Sequence, residues 1–348
     1  MKKETIMRIM NWNIEHMNSW WHGGANDPAI MLDSFTGNNF SPPITDVPAL
    51  AKRVGNVINS VDPDVVTIQE GAGEPEMKDF FNRFVNSEWK ILRGAGKGQS
   101  LIIAARLDRC VTSLEQGEES IGGIDLSLPF KADINADLEV DEINFARKPQ
   151  VARLTVHDRS MIIINNHLKS KFVKNGESLY KAGGADRLQF FGEALKARRR
   201  ISGEAFRIRT FIDKLLDDNP AERIVVTGDL NDSEGADFFE ENFLTHSVVD
   251  RVFGSIFRPQ KQLTHILFAS NSTDFTAKFY DFIKEKEQKL VIDHIGISQE
   301  INQNWSWSGR VAVKEYETQI INDHTLQERD QHPSDHRPVV ADLSPTNE

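Results

Sequence analysis

The sequence predicts a mixed α/β protein, and three observations carry that prediction. Residues 7–86 run strand, helix, strand, helix, with apolar residues recurring first at period two and then at helical spacing. Residues 89–114 hold shorter apolar runs joined by turns, which favours antiparallel pairing there. Along the whole chain, apolar runs stop abruptly at glycines and polar clusters, as buried strands do when they deliver functional groups to a sheet edge.

Residues 7–15 alternate well enough to form a first strand, with Asn13 near its end. Residues 16–48 then carry Gly23-Gly24, Asp27-Pro28, Gly37-Asn38-Asn39 and Pro42-Pro43, so a loop or lid is expected. Its Trp20-Trp21-His22 has the rings to stack on a substrate, although anchoring a packed loop is the commoner use. Leu50, Val54, Val57, Ile58 and Val61 predict an amphipathic helix over 48–61, stopped by Asp62-Pro63. Residues 64–70 read as a buried strand ending in Glu70, and a second helix is expected over 76–86.

Shorter strands are expected at 89–92, 100–106 and 110–114. Gly94-Ala95-Gly96-Lys97-Gly98-Gln99-Ser100 superficially resembles a phosphate-cradling loop, but Gly98 follows Lys97 where Ser or Thr is required and Ile91 stands where the first glycine belongs. It reads as a hairpin turn. Residues 115–141 form an acidic, glycine-containing excursion. Strands over 144–156 and 160–167 meet at His157-Asp158-Arg159, and the second ends at His167.

A long helical region over 185–216 precedes a strand at 224–232 that ends in Gly228-Asp229-Leu230-Asn231-Asp232. Asp229 and Asn231 lie two apart and point to one side if the extended geometry continues. Later strands are expected at 262–268, 289–298, 310–313 and 337–343. No repeat, low-complexity tract or linker splits the chain. Residues 1–348 are therefore expected to form one domain with inserts near 16–48 and 115–141.

At 348 residues and 39% hydrophobic content the chain can bury a sizeable core. Cys110 is the only cysteine, which excludes an internal disulfide or a multi-cysteine metal site and fits a reducing compartment. The first residues break their apolar positions with charge, and no later run is long enough to span a bilayer, so a cytoplasmic protein is expected. A formal net charge of -11 argues against indiscriminate nucleic-acid binding. Between His167 and Lys214, however, twelve basic residues face five acidic ones. That segment suits a polyanionic partner and a solvated helix face equally well.

The polar strand ends are Asn13, Glu70, His167, Asp229, Asn231, Asp293-His294 and Ser334-Asp335-His336. Carboxylate oxygens suit Mg2+ or Mn2+, and histidines share protons with phosphate oxygens near neutral pH. A zinc cluster of His324, His332, Asp335 and His336 is the competing metal reading, but its spacing matches no helix-borne zinc motif.

Six segments in order carry a resemblance: Trp12-Asn13-Ile14, Ile68-Gln69-Glu70, Asn166-His167-Leu168-Lys169-Ser170, Gly228-Asp229-Leu230-Asn231, Ile292-Asp293-His294-Ile295 and Ser334-Asp335-His336-Arg337-Pro338. Together they resemble the endonuclease/exonuclease/phosphatase (DNase I-like) superfamily, over about residues 7–343. The resemblance implies a four-layered α/β sandwich, two mainly antiparallel sheets face to face with helices outside. It implies Glu70 as principal metal ligand, assisted by Asn13 and Asp335. Asp229 would orient or deprotonate the attacking water, and Asn231 would place the water or the phosphate. His336, held by Asp293, would contact the scissile phosphate, with His167 near the leaving group. Arg147, in Phe145-Ala146-Arg147-Lys148-Pro149, resembles a phosphate-contacting arginine of the DNase I branch, and Lys169 would join it.

Where that branch has a glutamate to partner the histidine corresponding to His167, Gln99 stands here. The expected activity is metal-dependent phosphodiester hydrolysis, led by a nuclease because Asn166-His167-Leu168-Lys169-Ser170-Lys171 and the arginine-rich helix are similar to bacterial nucleases of the superfamily. The alternatives are a phosphatase or phosphodiesterase for a small-molecule or lipid ester, with Trp20-Trp21 or Trp305 and Trp307 as apolar contacts, and a non-catalytic binding protein. Trp305 and Trp307 share a strand face, which is more often packing.

Overall fold

Alternation along the first strand sets the layering. β1 (Met7–Asn13) turns Met7 and Ile9 into one apolar cluster and Met10 and Trp12 into another, because successive side chains of a strand face opposite ways. The computed structural model describes every residue except 1–5, 23–28, 39–40, 97, 135–138, 234–236, 244–245, 271 and 347–348. Gly23-Gly24, Asp27-Pro28, Asn39 and Lys97 thus lie outside the described residues.

After β1 come α1 (Val47–Val61), β2 (Val65–Gly71), α2 (Glu74–Phe84), β3 (Lys90–Arg93), β4 (Ser100–Ala105) and β5 (Val111–Gln116). The excursion holds two ribbons, β6 (Ser120–Ile121) with β7 (Ile124–Asp125) and β8 (Phe130–Ala132) with β9 (Asp141–Ile143). β10 (Gln150–Val156), β11 (Arg159–His167), α3 (Gly176–Ala182), α4 (Gly184–Asp218) and β12 (Ile224–Asp229) follow. Then come α5 (Phe238–Phe243), α6 (Val248–Phe253), β13 (Thr264–His265) and α7 (Ile266–Ala269). A hairpin of β14 (Ala277–Asp281) and β15 (Lys286–Leu290) leads to β16 (Asp293–Ile297), β17 (Trp305–Val311) and β18 (Val339–Pro345).

One six-stranded sheet has the order β17-β18-β1-β2-β4-β3 and the other β13-β16-β12-β11-β10-β5. Pairing is antiparallel except for β1 with β2 and β11 with β12. Ile9, Ile103, Leu154, Ile163, Val225, Ile295 and Ala341 meet between the sheets. Val54, Ile58, Met77 and Phe80 lay α1 and α2 on the outer face of the first sheet. Ile208, Ile212, Val249 and Val252 do the same for α4 and α6 on the second. This is the four-layered sandwich that the resemblance implies. Each buried Val, Leu or Ile contributes about 1.5–3 kcal/mol by leaving water, so the strand ends sit on a stiff frame.

Local signals explain the helix edges. Asp46 accepts a hydrogen bond from the Ala49 amide at 2.9 Å and Pro48 opens the first turn of α1, while Asp62 ends it at φ 52. Trp20 and Trp21 are buried beside Phe80, and Trp305 lies between the sheets, so these rings anchor the fold. Among the described residues no helix is long and apolar enough to cross a membrane.

Four strand expectations change. The strand expected from 144 begins at Gln150, since Pro149 carries no amide hydrogen and constrains Lys148 before it. The strand expected over 262–268 is only β13, because His265 Nδ1 accepts from the Leu267 and Phe268 amides and starts α7. The run 289–298 splits into β15 and β16 where Thr276 Oγ1 accepts from the Ile292 and Asp293 amides. The strand expected at 310–313 is the end of β17, which starts at Trp305.

Candidate active site

Beneath the site the apolar contact between the sheets gives way to a polar rung. Gln69 Nε2 donates to Asn11 Oδ1 at 2.9 Å and to Asn165 Oδ1 at 2.7 Å, and Asn165 Nδ2 donates to the Ile68 carbonyl at 3.2 Å. These bonds fix the register of β2 against β11, and the next residues outward are Glu70 and, one further, His167. β12 comes close enough to β11 that a Cβ on Gly228, at φ 141, would lie 2.1 Å from the Asn166 carbonyl oxygen. Only glycine permits that approach just before Asp229.

Asn13, at the end of β1, donates from Nδ2 to Asp229 Oδ2 at 3.0 Å and to Glu70 Oε1 at 3.4 Å. Its Oδ1 is buried without a hydrogen-bond partner. Glu70 sits at φ 62 in an irregular step of β2, and its Oε2 accepts from the His16 amide at 2.8 Å and Gln99 Nε2 at 2.5 Å. Gln99 in turn accepts from Arg147 Nε at 3.1 Å, so Glu70, Gln99 and Arg147 form one chain of contacts. His167 Nε2 lies 3.4 Å from Asp229 Oδ2 and 3.8 Å from Glu70 Oε1, and its Nδ1 is buried without a partner. Gln99 thus serves Glu70, and the position it holds gives His167 no carboxylate.

On the other side of Asp229, His336 Nδ1 is 2.7 Å from Asp293 Oδ2. The backbone holds this pair: Trp12 Nε1 donates to the His336 carbonyl at 2.9 Å, and Ser334 Oγ donates to the Asn13 carbonyl at 2.8 Å. Asp229, Asp293 and His336 each bring one ligand-type atom within 4.8 Å of the others. We read that trio as an ion pair plus a second carboxylate, because an imidazolium bonded through Nδ1 has no lone pair there to give a cation. The oxygen set of Glu70 and the unpartnered Asn13 Oδ1 fits a hard divalent cation better.

Ionisation separates the groups. Burial foremost pushes the Asp229 carboxyl up to about 7, with His336 opposing and Asp293 adding to the rise. Burial alone would lower His336, but Asp293, Asp335 and Asp229 together hold it well above its usual value. His167 is driven well below its usual value by burial and then by Arg147, His336 and His16. Near neutral pH the site therefore holds one imidazolium, one neutral imidazole and a carboxyl poised to exchange its proton.

The remaining expected residues are placed differently. Asn231 does not continue the strand: β12 ends at Asp229, Asn231 takes φ 53, and its Nδ2 donates to the Leu168 carbonyl at 3.1 Å while its amide donates to Asp229 Oδ1 at 2.8 Å. Asp335 is 60% exposed, with its amide on Glu15 Oε2 at 3.2 Å and its carboxylate 3.7 Å from His336 Nε2. Among the described residues, neither His324 nor His332 joins the trio around His336.

Lys169 donates its amide to Glu204 Oε2 at 2.8 Å, and the Ala146 amide donates to Glu204 Oε1 at 2.8 Å. Glu204, fully buried on α4, thereby ties together the loops bearing Arg147 and Lys169. Neither Glu204 nor His16 stood out in the sequence; the only signal was that His16 follows directly on Asn13-Ile14-Glu15.

Much of the basic segment is engaged internally. Lys171 contacts Asp232, Asp237 and Glu240, and Arg198 meets Asp237 at 2.5 Å. Arg209, Lys181 and Lys214 pair with acids four residues away on their own helices. Two further histidines form a buried relay. Because His265 Nδ1 accepts backbone hydrogens, its Nε2 carries the proton and faces His294 Nδ1 at 2.8 Å, and His294 Nε2 then donates to the Asp232 carbonyl at 2.8 Å. Burial lowers both values, so both rings are neutral.

No family model and no curated protein sequence matches the chain. Solved structures do. An endonuclease/exonuclease/phosphatase family protein from Bacteroides thetaiotaomicron aligns at TM-score 0.55 and 14% identity, over 99% of this chain and 100% of that one. A D. rerio TDP2 complexed with single strand DNA product aligns at 0.50 and 13%, over 97% and 99%. A B. thetaiotaomicron mannosyl-6-phosphatase aligns at 0.52 and 14%, over 97% and 99%.

Proposed function

We propose, from the DNase I-like fold that this chain shares with the endonuclease/exonuclease/phosphatase superfamily, that it is a divalent-metal-dependent phosphodiester hydrolase working as a nuclease. The observation that carries the chemistry is Asp229, with a pKa of about 7, facing the His336 imidazolium across one buried site. Asp229 takes a proton from the attacking water while the Asn231 amide on its Oδ1 and Asn13 Nδ2 on its Oδ2 fix its orientation. His336 stays protonated against Asp293 and hydrogen-bonds the phosphoryl oxygens on which charge builds.

Glu70 and Asn13 would hold Mg2+ or Mn2+, with Asp335 assisting. When bound, the ion would neutralise charge on the phosphoryl and leaving oxygens. His167, neutral, offers a ring N–H on the leaving-group side. Arg147 and Lys169 contact phosphate from loops that Glu204 holds in place.

The nuclease reading is supported by Arg147 reaching the site through Gln99 and by the neighbour complexed with single strand DNA product. A phosphatase or phosphodiesterase acting on a small-molecule or lipid ester is the second reading. It is favoured by the internal pairing of Lys171 and Arg198, which removes them from a polyanion track, and by the mannosyl-6-phosphatase among the neighbours.

The test is hydrolysis of single- and double-stranded DNA, RNA, bis-nitrophenyl phosphate, inositol phosphates and sphingomyelin with Mg2+, Mn2+ or EDTA, with Asp229→Ala as the blank. Metal-dependent cutting of polynucleotide that the variant lacks supports the nuclease. Intact nucleic acid with a cleaved small or lipid ester selects the second reading.

A further inference from the structure

Beside the site lies a cavity of about 1110 Å3 whose wall includes Asn231 and Asp335. Its size is just above the usual range for small-molecule sites, roughly 300–1,000 Å3. The wall is built by the loop after β11, the start of α4, α5 and the β14–β15 hairpin, and it is aromatic. Phe190 packs against Phe239 and Phe282 with ring centroids 5.9 and 5.5 Å apart, while Phe172 and Phe279 remain 74% and 47% exposed. Rings left in water beside a reaction centre offer a face on which a flat ligand can stack.

Charge narrows the ligand further. Four basic side chains line the cavity (Lys171, Lys181, Arg198, Lys284) against six acidic ones (Glu177, Asp232, Asp237, Glu240, Asp281, Asp335), a net -2. The two deepest cations are already engaged: Lys171 by three carboxylates, and Arg198 by Asp237 and by the Phe239 ring 4.0 Å away. A second phosphate entering here would meet net negative charge, whereas an uncharged ring would not.

We propose that this cavity takes an uncharged aromatic group on the alcohol that stays esterified to the reacting phosphate, opposite the leaving group, and that it turns away a continuing phosphate backbone. A base at a strand end and the aryl part of a small ester share that chemistry. The inference rests on the phosphoester hydrolase reading, and it directs the enzyme to ends or small esters rather than to internal bonds of a duplex.

The experiment compares 4-nitrophenyl diesters that share a leaving group and differ in the second alcohol: methyl, phenyl, thymidine 5′ and thymidine 5′ bearing a 3′-phosphate. With Mg2+, kcat/KM for the phenyl or thymidine ester is expected to exceed that for the methyl ester by about tenfold. Phe172→Ala and Phe279→Ala are each expected to reduce that ratio severalfold, and the 3′-phosphate is expected to lower kcat/KM about tenfold. A ratio near one, a ratio unmoved in both variants, or improvement by the 3′-phosphate overturns the proposal. Preference for thymidine over phenyl identifies the nucleotide source, and the reverse identifies the aryl ester. If no ester is cleaved, the diester-hydrolase reading fails by itself. Calorimetric binding of phenyl phosphate and thymidine 5′-monophosphate against methyl phosphate, in wild type and both variants, then decides the cavity separately, with equal affinities overturning it.

Discussion

Replacing Asp293 with asparagine keeps the side chain's size but removes the negative charge 2.7 Å from His336 Nδ1. Burial already pulls this ring towards neutrality, and Asp293 leads the groups that oppose it. A buried hydrogen bond to a charged group contributes about 1.5–3 kcal/mol, so its loss is expected to lower the His336 pKa. The variant's ring then gives up its proton at a lower pH than the wild-type ring. A histidine raised above its unfolded value stabilises the fold fully below about pH 6.5, and that stabilisation fades as pH rises through the folded value. The Asp293→Asn deficit in urea denaturation should therefore be largest near pH 6 and shrink in alkali. The primary assay is an NMR titration of the His336 ring in metal-free protein, beside kcat/KM, expected to fall about 100- to 1,000-fold. A His336 ring titrating at the wild-type value in the variant refutes the reasoning, whatever happens to activity.

Asn13→Ala is expected to weaken Mn2+ binding by about tenfold or more, measured as free ion by electron paramagnetic resonance; unchanged affinity would remove Asn13 Oδ1 from the donor set. The His265–His294 relay has the opposite pH sign to His336. Both values are depressed in the fold, so its contribution is complete above about pH 6.5 and is lost as pH falls through the folded values. Between pH 7.5 and 5.5, His265→Leu should lose less stability than wild type, by up to about 1.4 kcal/mol, and an equal loss in both proteins would show that His265 is not held neutral.

The sandwich was legible because the alternation in β1, the continuous apolar runs of β2, β11 and β12, and the α1 stripe obey local rules. The strand ends were legible because a buried run that stops at Asp229 or His167 leaves polar groups at the sheet edge. Boundaries failed where side-chain hydrogen bonds decide them: the His265 ring caps α7 locally, a role its residue type does not signal, and Thr276 reaches the Ile292 and Asp293 amides from far along the chain. The Asp229–Asn231 spacing misled because a left-handed Asn231 breaks the extended geometry. The internal pairing of the positive stretch was not legible, because charge counted along a sequence does not show that Asp232, Asp237 and Glu240 return from elsewhere to meet Lys171. Glu204 and Gln99 act through contacts 35 and 29 residues away, beyond any periodicity.

β1 is paired on one side with β2 and on the other with β18. A ribosome that adds about 5–20 residues per second therefore leaves one edge of β1 without its neighbour for tens of seconds. The Trp12 bond to the His336 carbonyl and the Ser334 bond to the Asn13 carbonyl form only when that neighbour arrives. Sheet completion and the site's assembly are thus the same late folding event, with the slow kinetics of very distant contacts. A message truncated before codon 339 is expected to yield an open-edged sheet that lacks β18, an aggregation-prone intermediate without an assembled site.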